Sequence, residues 1–238
     1  MKINILIPVY NEEGLIAGTL SRLFSEVKLP YRAIIINDGS MDKTESIVRT
    51  FLLSHPDTFV LFNQSHLGFS SAIKQGLALV PENETFVVVM ADGCDEVRLI
   101  EDMHSRIVQG QADVVCACRY MPAARRIGGS IVKAIGSRFV NLFFSLRTKG
   151  QCRDMTNSFK MFKKDVLRNT VIEAKGFDIS LELALKAYLG GYRINDIPTI
   201  WTERGRGKSK FHIIKDGLVY IRWIWLSLRG GYKAYANN

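Results

Sequence analysis

The stretch FVVVMADGCDE, residues 86–96, runs five apolar residues, Phe86 to Met90, straight into two carboxylates, Asp92 and Asp95, three positions apart. A charge at the tip of a buried strand is costly unless water, a partner cation or a metal satisfies it. The segment therefore reads as a core strand that ends on a polar rim, and it has companions. Ile- and Val-rich runs at 3–9, 33–37, 59–62 and 112–118 read as further strands, separated by helical patterns at about 12–27, 42–54, 68–79 and 96–109. Strand–helix alternation at this spacing predicts an α/β fold, a mostly parallel central sheet with helices on both faces. Such sheets bind ligands beyond the carboxyl ends of their strands. PVYNEE (8–13), NDGSMD (37–42) and MADGCDE (90–96) then lie along one rim, and three acid-bearing loops on one edge make a site.

The second half is less regular. Residues 128–147 and 178–190 read as helices, SFKMF (158–162) and YRINDIPTIW (192–201) as extended, and 203–210 as a basic glycine-bearing loop. A last helix over about 211–229 completes one large domain, residues 1–210, with a C-terminal extension, 211–238. The 238 residues suffice for a substantial core, and the apolar and charged fractions are those of a globular protein. Charge is unevenly spread. Residues 1–118 carry 9 Lys/Arg against 15 Asp/Glu, a balance of −6, and residues 119–238 carry 23 against 8, a balance of +15, giving the net +9. The second half therefore suits an anionic partner: a phosphate-bearing substrate, an acidic membrane or nucleic acid. Cys94, Cys116, Cys118 and Cys152 show no metal-ligand spacing with nearby histidines and read as buried thiols of a reduced, cytoplasmic protein. The N-terminal apolar run is too short for a signal sequence, and no run of about 18 apolar residues is present to span a bilayer.

Locally, Pro8 is expected to end strand bonding, Asn11 to cap the next helix, and Glu12 and Glu13 to suit its positive end. Asp38–Gly39 is a turn, and no GxGxxG follows it, which counts against a dinucleotide site. Asp38 instead suits a base edge or a ribose. Leu181, Ala184, Leu185 and Tyr188 recur at helical spacing as core, which leaves Glu182 on another face as a weak site candidate.

Taken in order, these elements resemble the family 2 glycosyltransferases, with their GT-A nucleotide-sugar-binding fold, and most nearly the dolichol- and polyprenyl-phosphate mannose synthase branch. The resemblance runs through PVYNEE (8–13), NDGSMDKT (37–44), HLGFSSAIKQGL (66–77), VVVMADGCD (87–95), CRY (118–120) and RGRGKSKF (204–211). DMTNSFKMF (154–162) and residues 176–198 also follow the pattern. It implies that Pro8, Tyr10, Glu12 and Asp38 line the nucleotide pocket and that Asp92 is the metal-binding carboxylate at the sugar diphosphate. The family carries two acids one residue apart there. In this chain Met90 stands at the first, Asp92 at the second, and Cys94 where a polar ligand is common. A thioether is a poor ligand for a hard cation, so Asp95 is expected to supply the missing oxygen. The pair Asp92 and Asp95 would hold Mg2+ or Mn2+ together with substrate phosphates. Arg119 would face the donor sugar and phosphates. Lys133, Ser137 and Arg138 would meet an acceptor phosphate, the alternative being a solvated basic helix face. Arg204, Arg206 and Lys208 would close over the diphosphate. Nucleic acid is disfavoured for this loop, because aromatics are few and Asp92 and Asp95 repel a polyanion.

The implied reaction is inverting transfer from a nucleotide-diphospho-sugar to a polyprenyl phosphate, which is already ionised and needs no base. For a saccharide hydroxyl acceptor, Asp154 is the candidate base. The missing first acid leaves a non-catalytic nucleotide-sugar-binding homologue as a further reading. In KDGLVYIRWIWLSLR (215–229), Lys215, Arg222 and Arg229 lie along one line of an otherwise apolar helix, and Trp223 and Trp225 suit a headgroup interface. That predicts peripheral attachment to an anionic membrane on the cytoplasmic side; packing on the chain's own domain or on a second subunit is the alternative.

Overall fold

The structure, a computed structural model, describes residues 1–205 and 213–228. The first half folds as β1 (Ile3–Val9), α1 (Ile16–Glu26), β2 (Tyr31–Asp38), α2 (Thr44–Ser54), β3 (Phe59–Gln64), α3 (Phe69–Ala78), β4 (Thr85–Val88), α4 (Leu99–Val108) and β5 (Val114–Cys118). The second adds β6 (Arg125–Ile127), α5 (Ile131–Arg147), β7 (Lys160–Lys163), α6 (Ile179–Leu189), β8 (Ile194–Pro198), β9 (Ile200–Thr202) and α7 (Ile213–Leu228). The expected alternation of the first half is present. YRINDIPTIW divides into two strands, β8 and β9, and β9 pairs apart from the main sheet with β6.

The main sheet has the order β3-β2-β1-β4-β7-β5-β8 and is parallel except for β7, which runs antiparallel to both neighbours. Phe162 of β7 sits opposite Phe86 of β4, and their rings stack at 5.0 Å. Strand order reverses at β1: β2 and β3 lie on one side, β4 and the later strands on the other. A crevice opens where such a reversal occurs, beyond the carboxyl ends of β1 and β4. Side-chain alternation divides the core. Ile3, Ile5, Ile7, Ile35 and Val87 pack under α1, α2 and α4, whereas Leu6, Ile34, Ile36, Phe86 and Val88 pack under α3 and α6. Strands buried on both faces read as unbroken apolar runs, which is why 3–9 and 86–90 were conspicuous. On α3, a Cβ at Gly76 would meet Ile36 and Leu6 at 3.0 and 3.1 Å, so glycine lets this helix lie close to the sheet.

Helix α6 is buried on every side. Glu182 is no site residue: its carboxylate accepts the N–H groups of Glu173 and Ala174 and pairs with Lys186 in the interior. Helix α7 packs on this part of the core. Trp223 is fully buried, with Nε1 donating to Asp178 Oδ2 at 2.8 Å, so of the two tryptophans expected at a membrane interface only Trp225 is exposed. Residues 218, 221, 225 and 228 nevertheless form an exposed apolar stripe, Leu218, Ile221, Trp225 and Leu228. Helix α5 beside it exposes Ile131, Ile135, Phe139, Leu142 and Leu146. Among the described residues no helix is long and apolar enough to cross a membrane.

Candidate active site

The loops after β1 and β2 brace each other. Asn11, held at φ 47°, donates its N–H to Ser40 Oγ, and its side-chain oxygen accepts from Met41 N–H at 2.8 Å. It therefore ties two loops together and does not cap α1; Glu12 N–H finds Thr44 Oγ1 at 2.8 Å. Gly39 has φ +71°, and a Cβ there would lie 2.8 Å from the backbone nitrogen of His66, so only glycine allows this approach. Asp38 is buried and already occupied. It accepts from Leu67 and Gly68 N–H at 2.8 and 3.0 Å and from Gln64 Nε2 at 2.6 Å, while His66 Nδ1 lies 2.9 Å away. Its work is to shape the 64–68 loop, whose His66 ring stacks on Tyr10 at 4.0 Å. Pro8 is buried within β1 opposite Ile36, and the strand continues past it to Val9, so Pro8 does not end the pairing, and it lines neither of the two cavities described below.

Beyond β4 the chain turns because Met90 N–H is taken by the Asp95 carboxylate at 2.8 Å. That bond takes up one oxygen of the Asp95 carboxylate, which is almost wholly buried. Asp95 lines a separate cavity of about 570 Å³, with Arg22, Glu96 and Arg98. Arg22 donates to the carbonyls of Gly93 and Asp95 at 3.0 and 3.3 Å, bracing the loop from behind. Burial, with the nearby charge of Asp92, pushes the Asp95 carboxyl up to about 7. Of the expected Asp92–Asp95 pair, Asp95 is thus engaged by the turn itself and lines a different cavity from Asp92.

Asp92 faces a larger cavity of about 660 Å³ that also holds Met90, Arg119, Lys133, Ser137 and Arg204. Arg204 bridges two rims of the crevice, reaching Asp92 Oδ2 at 2.8 Å and Glu12 Oε1 at 3.3 Å. Met90 gives the cavity no hard donor, and burial followed by the charge of Asp92 pushes the Cys94 thiol up and keeps it protonated. With Met90 and a protonated thiol beside it, Asp92 fits a divalent ion that arrives with substrate phosphates, and these residues do not make an all-protein cage.

Arg119, at the end of β5, is held by Asp154 in a two-point pair, Nε–Oδ2 and Nη2–Oδ1 both at 2.8 Å. Asp154 is wholly buried and also accepts from Arg119 N–H, Asn141 Nδ2 and Asn157 N–H. Burial alone would raise its carboxyl, but the Arg119 charge and hydrogen bonds outweigh this and hold it below the usual carboxylate range. Asp154 is therefore a fixed anion that aims Arg119; with its oxygens filled and its proton affinity lowered, it is no base. Ser137 hydrogen-bonds Thr156 and Tyr120, both at 2.9 Å, in the same network. Lys133 and Ser137, one turn apart on α5, reach the cavity, whereas Arg138 turns outward over the Tyr120 ring. Arg206 and Lys208 lie outside the described residues.

A family model described as "Glycosyl transferase family 2" matches residues 4–171. The chain belongs to this family. It is similar to a polyprenol monophosphomannose synthase of Mycolicibacterium smegmatis, 24% identical over 87% of this chain and 79% of that protein. An undecaprenyl-phosphate mannosyltransferase of Micrococcus luteus is 25% identical over 94% of each chain. Among solved structures, glucosyl-3-phosphoglycerate synthase from Mycobacterium tuberculosis, in complex with Mn2+, UDP and glucosyl-3-phosphoglycerate, superposes with TM-score 0.66 at 15% identity. That match covers 96% of this chain and 79% of the other. A mannosyltransferase from Pyrobaculum calidifontis in complex with GDP-Man and Mn2+ also gives 0.66 at 16% identity, over 96% of this chain and 64% of that one. These likenesses show the GT-A fold.

In this glycosyltransferase the structure brings together Glu12, Asp92, Arg119, Lys133, Ser137 and Arg204, drawn from five separate segments. Reading the sequence missed the tie between Arg119 and Asp154, 35 positions apart, and the Tyr10–His66 stack. The only sequence signals were that CRY and DMTN each place a charge beside a strand.

Proposed function

We propose that this chain is an inverting glycosyltransferase that moves a sugar from a nucleotide-diphospho-sugar to the phosphate of a polyprenyl-type lipid. One observation carries the reading. The cavity lining combines a charged set, Asp92, Arg119 and Arg204, with an apolar set, Val132, Phe139, Ile221 and Ile224, contributed by α5 and α7. That apolar set adjoins the exposed stripes of both helices. A donor diphosphate fits the first set and an isoprenoid chain the second. The likeness to a polyprenol monophosphomannose synthase and an undecaprenyl-phosphate mannosyltransferase supports the same acceptor class.

Arg119, held rigid by Asp154, and Arg204 stabilise the charge that grows on the leaving diphosphate, an electrostatic contribution that needs no rearrangement at the moment of reaction. Arg204 must leave Asp92 and Glu12, at least in part, to do so. Asp92 would hold a divalent cation, Mg2+ or Mn2+, which would supply Lewis-acid neutralisation of the diphosphate charge. Lys133 and Ser137 orient the acceptor phosphate, which attacks already ionised, so no general base is required. The apolar stripes, flanked by Arg138 and Arg222, rest on an anionic membrane surface, which makes the protein peripheral on the cytoplasmic face.

The test mixes the full chain with a panel of labelled nucleotide-sugars, polyprenyl phosphate in anionic vesicles, and Mg2+ or Mn2+. Label in the lipid phase is expected for at least one donor. Transfer to oligosaccharide alone would replace the acceptor, and no transfer from any donor would overturn the reading.

A further inference from the structure

Away from the crevice, three potential ligands meet inside the sheet. Cys116 of β5 and Cys152, in the loop after α5, are both fully buried, with their sulfurs 3.6 Å apart. Asp196 of β8 is the parallel register partner of Cys116, so the two side chains share a face. One ligand atom from each of the three lies within 4.8 Å of the others. Asp196 Oδ2 accepts Arg153 N–H at 2.8 Å, but the buried Oδ1 has no hydrogen-bond partner among the described residues. An orphaned buried carboxylate oxygen is expensive, and its presence beside two thiols is the observation that asks for an occupant.

We infer that Cys116, Cys152 and Asp196 supply three ligands to one zinc ion, with water in the fourth position. Two thiolates on one tetrahedral zinc lie about 3.8 Å apart, given a Zn–S length near 2.3 Å, so the sulfurs stand close to their bound spacing. A disulfide would need them near 2.05 Å, far closer than they are. Two thiolates, a carboxylate and Zn2+ sum to −1, and a buried ammonium closes the balance. Lys160, opposite Cys116 on β7 and only 1% exposed, is that group. The chemistry selects a borderline-soft cation; Mg2+ and Mn2+ prefer oxygen and belong at Asp92. The site stands two residues before Asp154 and three before Arg119, so an ion there ties together the two chain segments that carry this pair. Its role is stability. None of this rests on the proposed reaction.

The test uses the full chain, purified without a metal-affinity tag in reducing, chelator-free buffer. Metal analysis is expected to find about one zinc per chain. Zinc added back to the stripped protein is expected to raise its thermal midpoint, and cadmium in its place to produce a thiolate charge-transfer band. Cys152→Ser abolishes all three signals, and Asp196→Asn, milder because Asp196 is partly exposed, weakens zinc binding at least tenfold. Cys94→Ala and Cys118→Ala retain binding. Absence of stoichiometric zinc together with no zinc-dependent stabilisation of wild type would overturn the site, as would zinc retained by both Cys152→Ser and Asp196→Asn.

Discussion

Replacing Asp154 by Asn separates the two roles that a buried carboxylate beside the cavity can have. Asp154 is fully buried, and its two oxygens receive both prongs of Arg119, whose side chain is itself only 14% exposed. Removing one partner of such a pair costs about 3–5 kcal/mol, because the remaining charge is left uncompensated in the interior. The upper part of that range applies. Arg119 N–H, Asn141 Nδ2 and Asn157 N–H also donate to Asp154, and an amide would turn its own N–H groups towards some of these donors. For a chain of this size each kcal/mol moves the melting midpoint by about 2–4 °C, so a loss of about 4–5 kcal/mol gives an expected fall of roughly 8–20 °C. Urea denaturation measures the loss directly, as a lower midpoint with unchanged slope. The double variant Arg119→Gln with Asp154→Asn should lose less than the two singles combined, by about 1–3 kcal/mol. Because the folded carboxyl is held low, its contribution is present above the unfolded value of 3.8 and fades as pH falls through the folded one. The gap between wild type and Asp154→Asn should therefore close in acid. Wild-type stability in Asp154→Asn with activity lost would refute the positioning role and restore Asp154 as a base.

Other perturbations separate the remaining parts. Asp92→Asn, at the cavity wall, should lower sugar transfer by about 10²–10³-fold, as loss of a group stabilising transition-state charge does, with a thermal midpoint near wild type; transfer at the wild-type rate would remove Asp92 from the site. Asp95, with its carboxyl raised from 3.8 to about 7, contributes stability that is complete below about pH 4 and is lost as pH rises through 7. Asp95→Asn keeps an oxygen for Met90 N–H, so its urea midpoint should be flatter than wild type between pH 4 and 7.5; parallel profiles would count against a buried, protonated Asp95. Arg138→Glu with Arg222→Glu should weaken sedimentation with anionic vesicles by roughly thirtyfold or more, at about 1 kcal/mol per basic residue removed from the surface, while leaving neutral-vesicle binding intact. Unchanged binding would assign the apolar stripes to a protein partner.

Much of the fold was legible because parallel strands buried on two faces are long Ile/Val-rich runs, as at 3–9 and 33–37, and because the helices between them carry clear apolar periodicity. β7 was seen as extended but not placed, since nothing local to SFKMF reveals that it inserts antiparallel between β4 and β5. Trp223 was misplaced for a related reason: its partner Asp178 is 45 positions away, and an apolar helix packed on one side and exposed on the other offers no sequence mark for which tryptophan faces inward. At the site, loop order after β1, β2 and β4 put Glu12 and Asp92 on the rim of one crevice, where Arg204 now reaches both. The pairing of Asp92 with Asp95 failed because a tight turn spends Asp95 on the backbone of Met90, a local bond that competes with any ligand role. Asp38 failed likewise, its oxygens being filled by the 64–68 loop.

The claim on which the functional reading depends is that Asp92 and Arg204, now paired at 2.8 Å, separate to take a diphosphate and its cation between them. Calorimetry of UDP and GDP binding, with and without Mn2+, to wild type, Asp92→Asn and Arg204→Ala tests this most directly. At least one nucleotide should bind wild type ten times more tightly with Mn2+, lose that gain in Asp92→Asn, and bind Arg204→Ala at least ten times more weakly. Equal affinities across all three proteins, unaffected by the metal, would contradict it.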